Sequence, residues 1–415
     1  MTSAHSSTCD TDAPQPPIDT PPAQHPLSHR LVLIMATATG LGVACLYYAQ
    51  PLLGVLTAEL GLSAQTVGYI PTLTQLGYAL GIIFLAPLGD RHDRRVIILI
   101  KAILLTASLL AFGLSSHLSA LLIASFAIGL TATLAQDIVP TAATLAHDTQ
   151  RGRIVGTVMT GLLMGILLSR VFSGLFAEQF GWRSVFVLAA VSMALTGAVI
   201  WRTLPHVAPT TTLSYGALMR SLLALIREHS ALRRAALAQG LLSVAFSAFW
   251  STLAVMLHAE PFEMGSAVAG AFGLAGAAGA LIAPIAGHLA DRHGPQAVTR
   301  VGTAVTTVSF ALMCAGVWLA PTPQLVVLAV ATLGFDLGLQ GTLIAHQTIV
   351  YGIAPEARAR LNAILLGGMF IGMSLGSAIG SLLLDRFGWL GVTLLATAAA
   401  GSAFCLRMLP PPRSA

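Results

Sequence analysis

The feature that most limits how this chain can fold is a succession of twelve apolar runs. Each is about the 20 residues that a helix needs to cross a hydrocarbon core. Lipid offers the backbone no hydrogen-bond partners, so such runs have to form helices that satisfy their own N–H and C=O groups. The first six lie at Leu31–Thr57, Val67–Leu88, Val96–Leu114, Ala120–Ala146, Ile154–Ala177 and Ser184–Leu204. The second six lie at Ala235–His258, Ser266–Ala290, Ala297–Leu319, Leu325–Tyr351, Leu361–Leu384 and Leu390–Met408. Only 9% of the residues are charged, against roughly 25% in soluble domains. The fold class expected is an all-α membrane protein.

The cations set the orientation. Arg91, Arg94, Arg95, Lys101, Arg151, Arg153, Arg292, Arg300, Arg358 and Arg360 fall in alternate links, and the other links hold only Arg183 and Arg386. Both termini and the central segment are therefore expected to face the cytoplasm. The net charge of +5 is spread over these links and not gathered on one face, which excludes a nucleic-acid surface. Cys9, Cys45, Cys314 and Cys405 show neither disulfide nor metal-ligand spacing. Residues 1–28 are rich in Pro, Ser, Thr and His and read as a disordered cytoplasmic tail. They lack the three-part pattern of a signal peptide, so the first helix is expected to act as an uncleaved insertion signal.

One bundle is expected over 29–204 and a second over 235–409, with 410–415 as a cytoplasmic tail. The segment 205–234 between them carries Leu218, Leu222, Leu225 and Ile226 on one side, with Arg220, Arg227 and Arg233 elsewhere. That pattern suits an interfacial amphipathic helix over Tyr215–Arg234.

Two hairpins repeat each other. Asp90-Arg91-His92 matches Asp291-Arg292-His293, and Ala58-Glu59 matches Ala259-Glu260 at the same shift. Phe180-Gly181-Trp182 matches Phe387-Gly388-Trp389, and Arg151 and Arg153 match Arg358 and Arg360, at a slightly larger shift. Ordered agreement across several links predicts two parallel repeats.

These residues resemble the major facilitator superfamily of twelve-helix transporters over about Arg30 to Met408. The superfamily's loop signature, G-x-L-A-D-R-x-G-R-[KR], is followed at Leu88, Asp90, Arg91, Arg94 and Arg95, with Gly89 in place of its alanine and Ala86 and Asp93 in place of its glycines. The second copy keeps Gly287, Leu289, Ala290, Asp291, Arg292 and Gly294 but loses the trailing cations. Within the superfamily the chain looks most like bacterial drug and sugar exporters of the proton-antiporter kind. Tyr48-Ala49-Gln50-Pro51-Leu52-Leu53, Gln75-Leu76-Gly77-Tyr78-Ala79-Leu80-Gly81 and Arg151-Gly152-Arg153-Ile154-Val155-Gly156 carry that likeness. It departs from them in having no arginine within the fourth helix and no Gly-Pro pair in the fifth, where Arg170 stands in a glycine-rich run.

The resemblance implies two pseudo-symmetric six-helix bundles and a monomer of the bacterial inner membrane. It implies alternating access for a small apolar, amphipathic or sugar-like solute, exported in exchange for protons and without a cofactor. Import through the same helices, or a membrane sensor of the same fold, are the alternatives. No phosphate loop of the type G-x-x-x-x-G-K-[ST] and no Cys/His or Ser/His/Asp constellation outside the helices points to an enzyme.

Ionisable groups inside spanning helices are rare and costly, and by default functional. Asp137 shares one helix face with Thr133, Thr141 and Thr144, and Asp336 lies on a stripe with Thr332 and Gln340. At about 1.5 Å per residue, Asp137, Arg170 and Asp336 lie about 15, 24 and 22 Å from the cationic side. Arg170 is expected to exchange between carboxylates, or between a carboxylate and an anionic cargo, with Asp336 the easier partner. Tyr47, Tyr48, Gln50, Gln75, Gln136, Phe246, Phe249, Trp250 and Gln340 are the remaining cavity candidates. His258 and His346 could titrate but have no paired metal ligands. Glycines 270, 273, 276 and 279 and glycines 368, 372, 376 and 380 let backbones approach closely, and the resemblance implies that their helices form the sliding seam between halves.

The hairpin's own role is electrostatic. Asp90 is expected to latch to cations or helix ends, while Arg91, Arg94 and Arg95 hold that side closed. Asp291 and Arg292 are the corresponding residues of the second copy. Asp90→Asn is expected to impair transport while leaving insertion and cargo binding intact. Flux beside fluorescence-detected size exclusion checks this, and loss of folded protein instead would make Asp90 structural.

Overall fold

The computed structural model describes residues 27–147, 149–209, 211, 213–354 and 357–409, with the backbone alone at 276–287, 290 and 291. Helices α1 (His29–Ala44) and α2 (Leu53–Leu60) make the first crossing, and α3 (Ala64–Leu80) and α4 (Ala86–Arg91) the second. Next come α5 (Arg94–Leu114), the fourth crossing as α6 (Leu118–Ala132) and α7 (Leu134–Leu145), then α8 (Arg151–Phe180) and α9 (Trp182–Thr203). After α10 (Tyr215–Glu228), the helices α11 (Ser230–His258), α12 (Ser266–His293), α13 (Pro295–Ala315) and α14 (Pro321–Tyr351) form crossings seven to ten. The stretch α15 (Arg358–Met408) supplies the last two, on either side of Gly388, where φ is 63°. Nine of the described helices are long and apolar enough to span alone. Dividing α15, then adding the broken first crossing and α12, gives twelve.

Local breaks follow from particular residues. A wide π turn over Gly81–Leu85 precedes α4, which opens with Pro87 near its start. Proline has no N–H to donate and its ring crowds the carbonyl four residues back, so the backbone widens there. The break packs on a second one, because a Cβ on Gly81 would lie 2.5 Å from Thr133 Cγ2 at the junction of α6 and α7. Caps fix the starts: Ser63 Oγ accepts from Thr66 N at 3.2 Å, and Asp93 Oδ1 from Arg95 N at 3.0 Å.

The repeat is visible in the packing. Gly181 and Gly388, the middle residues of the two Phe-Gly-Trp triplets, both take positive φ (78° and 63°), a conformation other residues resist. Backbones also approach in matched pairs. A Cβ on Gly165 would lie 2.2 Å from the Gly40 carbonyl oxygen, and one on Gly372 would lie 2.2 Å from that of Gly240. The first crossing thus sits on the fifth as the seventh sits on the eleventh.

This corrects the expected seam. Gly368, Gly372, Gly376 and Gly380 face Ala236, Gly240, Val244 and Ala248 within the second half. Gly270 does lie between halves, with an added Cβ 2.5 Å from the Arg170 carbonyl oxygen, and Gly273 faces the Arg170 side chain. The side chains at 276 and 279 lie outside the described residues. On the other side of the seam the eleventh crossing presents serines, with Ser374 Oγ donating to the Thr72 carbonyl at 3.0 Å and Ser377 Oγ to that of Gly68 at 3.1 Å.

The amphipathic helix is shorter than expected, because α11 begins at Ser230 and takes Arg233 and Arg234 with it. Leu218, Leu222 and Leu225 are its buried face. The expected tails at 1–28 and 410–415 lie outside the described residues except for Leu27 and Ser28.

Close backbone approach predicts where a methyl group is not tolerated. A Cβ on Gly129 would stand 1.9 Å from the Thr74 carbonyl oxygen, whereas nothing lies within 4 Å of one on Gly156. Gly129→Ala should lower stability by about 1–3 kcal/mol through overpacking. Gly156→Ala should be neutral or slightly stabilising. Thermal unfolding midpoints in detergent test the pair.

Candidate functional site

Among the described residues, Arg407 is buried against Thr299 and Gln296, and two other sets of buried charges bear on the site. The first lies beneath the cation-rich hairpin. Arg94, only 6% exposed, donates from Nη2 to Asp90 Oδ1 at 2.8 Å, from Nε to the Gly89 carbonyl at 3.1 Å and from Nη1 to Thr144 Oγ1 at 3.2 Å. One side chain therefore ties the ends of the second, third and fourth crossings. Arg95 donates to the Trp201 carbonyl and stacks over the Trp201 ring at 4.2 Å. Asp93 Oδ1 also accepts from Val207 N at 3.1 Å, fastening the segment after the sixth crossing. Leu88 and Arg91 are half-buried and Arg292 is exposed, while the Asp291 side chain lies outside the described residues.

Deeper on the same side, Lys101 Nζ donates to Asp137 Oδ2 at 2.5 Å, with both side chains almost wholly buried. This corrects two expectations. Lys101 is not a link cation, since it projects from the middle of α5 into the bundle. Asp137 is not a partner for Arg170, because an ammonium from the third crossing already neutralises it. Depth counting carries the signal. Counted from the helix ends in the structure, Lys101 lies seven residues after Arg94 and Asp137 eight before Leu145, which puts both about 11–12 Å from the same end. Gly89 completes the arrangement, because a Cβ there would lie 2.7 Å from Asp137 Oδ1. The glycine standing where the signature has alanine lets the hairpin helix rest on the buried carboxylate.

The second set lies nearer the middle of the bundle, between its halves. Arg170 of α8 is 3% exposed and donates from Nε to Gln50 Oε1 at 2.8 Å. Its guanidinium carbon stands 4.6 Å from the Tyr47 ring centre, 4.3 Å from Trp250 and 5.8 Å from Phe246. Such cation–π contacts recover part of the solvation a buried guanidinium loses. Asp336, halfway along α14 and buried, interacts electrostatically with Arg170 and Tyr47. The two charges form no direct ion pair among the described residues. Arg170, Gln50 and Tyr47 of the first half thus converge with Trp250 of the second, and the charge of Asp336, also of the second half, acts on Arg170 and Tyr47.

The other candidates scatter. Gln75 Oε1 accepts from Ser247 Oγ at 3.0 Å, a bond between halves, while Gln136 Nε2 donates to Tyr78 Oη at 3.0 Å within the first. Phe249 packs with Phe310, Phe335 and Trp389 inside the second half, so it belongs to a packing cluster rather than beside Arg170. Tyr48 meets Phe172 edge-on and lines an apolar groove between the first, fifth and sixth crossings. Gln340 is half-buried. A buried pair that sequence reasoning missed is His346 with Gln239, whose Nδ1 and Oε1 lie 3.0 Å apart.

The family model for the Major Facilitator Superfamily matches residues 32–335 and 235–415. The uncharacterized transporter YgaY of Escherichia coli O157:H7 is 41% identical over 89% of this chain and 93% of its own length. The probable transporter SCO4007 of Streptomyces coelicolor is 33% identical over 88% of this chain and 84% of its own. Among solved structures, the nucleoside transporter NupG aligns over 91% of this chain and 98% of its own, with a TM-score of 0.72 and 15% identity. A bacterial homolog of the human lysosomal transporter Spinster, in an inward-facing and unoccupied conformation, covers 91% and 93% of the two chains with a TM-score of 0.71 and 15% identity.

Removing one member of a buried pair leaves the other charge unanswered. Lys101→Met should destabilise the protein by about 3–5 kcal/mol, and Lys101→Met with Asp137→Leu should recover most of that loss. Unfolding midpoints of the single and double variants decide it, and equal loss in both would show that packing, not charge, is at stake.

Proposed function

This chain belongs to the Major Facilitator Superfamily and is a multi-pass membrane transporter, and from that premise we propose a secondary active, proton-coupled exporter of a small amphipathic solute. The observation that carries the reading is the placement of Arg170 and Asp336. They are opposite charges from the two halves, buried and felt by one another, yet not locked into a direct pair. A purely structural ion pair gains most from direct hydrogen-bonded contact. Charges not locked into one pair respond instead when the halves rock, and neutralising Asp336 with a proton frees Arg170 from its field.

Tight glycine contacts between halves favour alternating access. Gly54 against Ala254, Gly68 beside Ser381 and Gly174 against Ser266 all lie at the end away from the Asp90 hairpin. With the cation-rich links placed in the cytoplasm by the positive-inside rule, the closed end is the outer one. The inner membrane is the proposed location, in keeping with the relative described as inner membrane transport protein YnfM of Escherichia coli, 25% identical over 88% of this chain. The rings of Tyr47, Phe246 and Trp250 around Arg170 suit an amphipathic solute better than a sugar, which needs many paired donors and acceptors.

Proteoliposomes with an imposed pH gradient test the proposal. Asp336→Asn should cut gradient-driven flux by roughly tenfold or more, equivalent to about 1.4 kcal/mol of lost coupling. It should leave gradient-independent counterflow in place. Full pH-driven accumulation in Asp336→Asn would remove Asp336 from the coupling.

A further inference from the structure

Around Arg170 the structure gathers donors without acceptors. Arg170 Nη2, Gln50 Nε2 and Trp250 Nε1 are all buried and none has a hydrogen-bond partner in the protein. The identity of the Gln50 amide end is fixed by its other end, since Oε1 accepts from Arg170 Nε. The three residues are 3%, 1% and 2% exposed, and all three line one narrow cleft with Pro51, Leu253 and Ala254. Buried N–H groups are normally paired. Three orphans of one sign of hydrogen-bonding character, one of them on a guanidinium, converge on a single cleft.

We propose that this cleft is the headgroup subsite for the carboxylate of an organic anion with an apolar or aromatic body. The proposal rests on the transport reading above and gives it a substrate class. A carboxylate brings only acceptors, which is what three orphaned donors lack, and guanidinium geometry matches it. Tyr47, Phe246 and Trp250 supply the surface for the body of the molecule. A cationic ligand is disfavoured, because it would meet Arg170 at close range. The cleft is too narrow for a water molecule as the halves stand here, so the headgroup is admitted only when the halves rock, and in an exporter it leaves outward when the seam between the fifth and eighth crossings parts. Ser266 Oγ, bonded to the Gly174 carbonyl at 2.9 Å, and the Gly174–Gly270 contact hold that seam.

The buried charge of Asp336 acts on the same guanidinium and so competes with an incoming anion. Arg170 and Tyr47 both feel its charge. Replacing it by a neutral isostere should therefore strengthen anion binding, whereas a purely structural Asp336 would leave affinity unchanged.

The test uses the full-length protein in detergent, with thermal stabilisation as the binding readout. The probes are sodium acetate, hexanoate, benzoate and phenylacetate, each beside its neutral amide. The expected result is concentration-dependent stabilisation by at least one of the larger carboxylates and not by its amide. Affinity should fall roughly tenfold in Arg170→Gln, as expected for loss of a charge-assisted bond. It should fall less in Trp250→Phe, which keeps the ring and loses only Nε1–H, and rise in Asp336→Asn. Trp250→Phe also keeps the test open should Arg170→Gln fail to fold. Stabilisation by amides equal to that by the acids, retention of binding in the Arg170 variant, or no stabilisation by any carboxylate overturns the proposal. Carboxylate binding without flux under any gradient would instead sink the transport reading and leave the anion site standing.

Discussion

A lipid-facing helix can bury a charge or a polar hydrogen only where another part of the chain is close enough to answer it, and the rest of this structure is arranged around that requirement. Close approach comes from residues with little or no side chain. Gly40 on Gly165, Gly240 on Gly372 and Gly270 on the Arg170 backbone bring helices near enough for long polar side chains to reach across. Lys101 then reaches Asp137 from a neighbouring crossing, and Arg170 reaches Gln50 and the rings of Tyr47 and Trp250. The serines of the eleventh crossing act similarly, spending their hydroxyls on carbonyls of the second. Small residues and buried charges are thus two sides of one design.

The duplication explains why the frame is regular and its charges are not. Packing of the first crossing on the fifth is reproduced by the seventh on the eleventh, and the glycine of each Phe-Gly-Trp triplet turns the chain with positive φ. At the hairpins the copies part company. Asp93 caps α5 through its side chain, whereas Gly294 makes the corresponding turn with φ of 81° and Pro295 follows it. Where the second copy has that proline, the first has Arg94, whose guanidinium ties Asp90, Gly89 and Thr144 together. Among the described residues, backbone chemistry makes the second turn and side-chain chemistry the first.

Helix number and the repeat were legible because lipid turns hydropathy directly into structure, and the paired Phe-Gly-Trp and Asp-Arg-His triplets kept their spacing. The candidate site was legible only in part. Arg170, Asp336, Gln50 and Trp250 stood out as polar or aromatic residues in apolar runs, but which of them meet depends on helix rotation, and hydropathy does not encode that. Phe249 and Trp250 are adjacent in sequence, yet one packs among Phe310, Phe335 and Trp389 while the other covers Arg170. Lys101 was missed because a lysine near the edge of an apolar run reads as a link cation, although its depth equals that of Asp137. The eleventh-crossing glycines were placed on the wrong face for the same reason, since a small-residue stripe announces close packing without naming the neighbour.

Gly89 joins the two sets of facts. It belongs to the hairpin helix α4, and it has no side chain to hold that helix away from Asp137 Oδ1. Its carbonyl accepts from Arg94, and the next residue, Asp90, takes the same guanidinium. A shift of α4 against α7 therefore changes the surroundings of the Lys101–Asp137 pair and the Arg94 latch together. Because a buried carboxylate depends steeply on its nearest dipoles and charges, small movements of the hairpin carry energetic weight deep in the first half. An alanine at this position, as in the superfamily signature, would keep the latch but stand its methyl group against the carboxylate. The glycine thus makes the hairpin of this chain part of its interior electrostatics and not merely a tether at its surface.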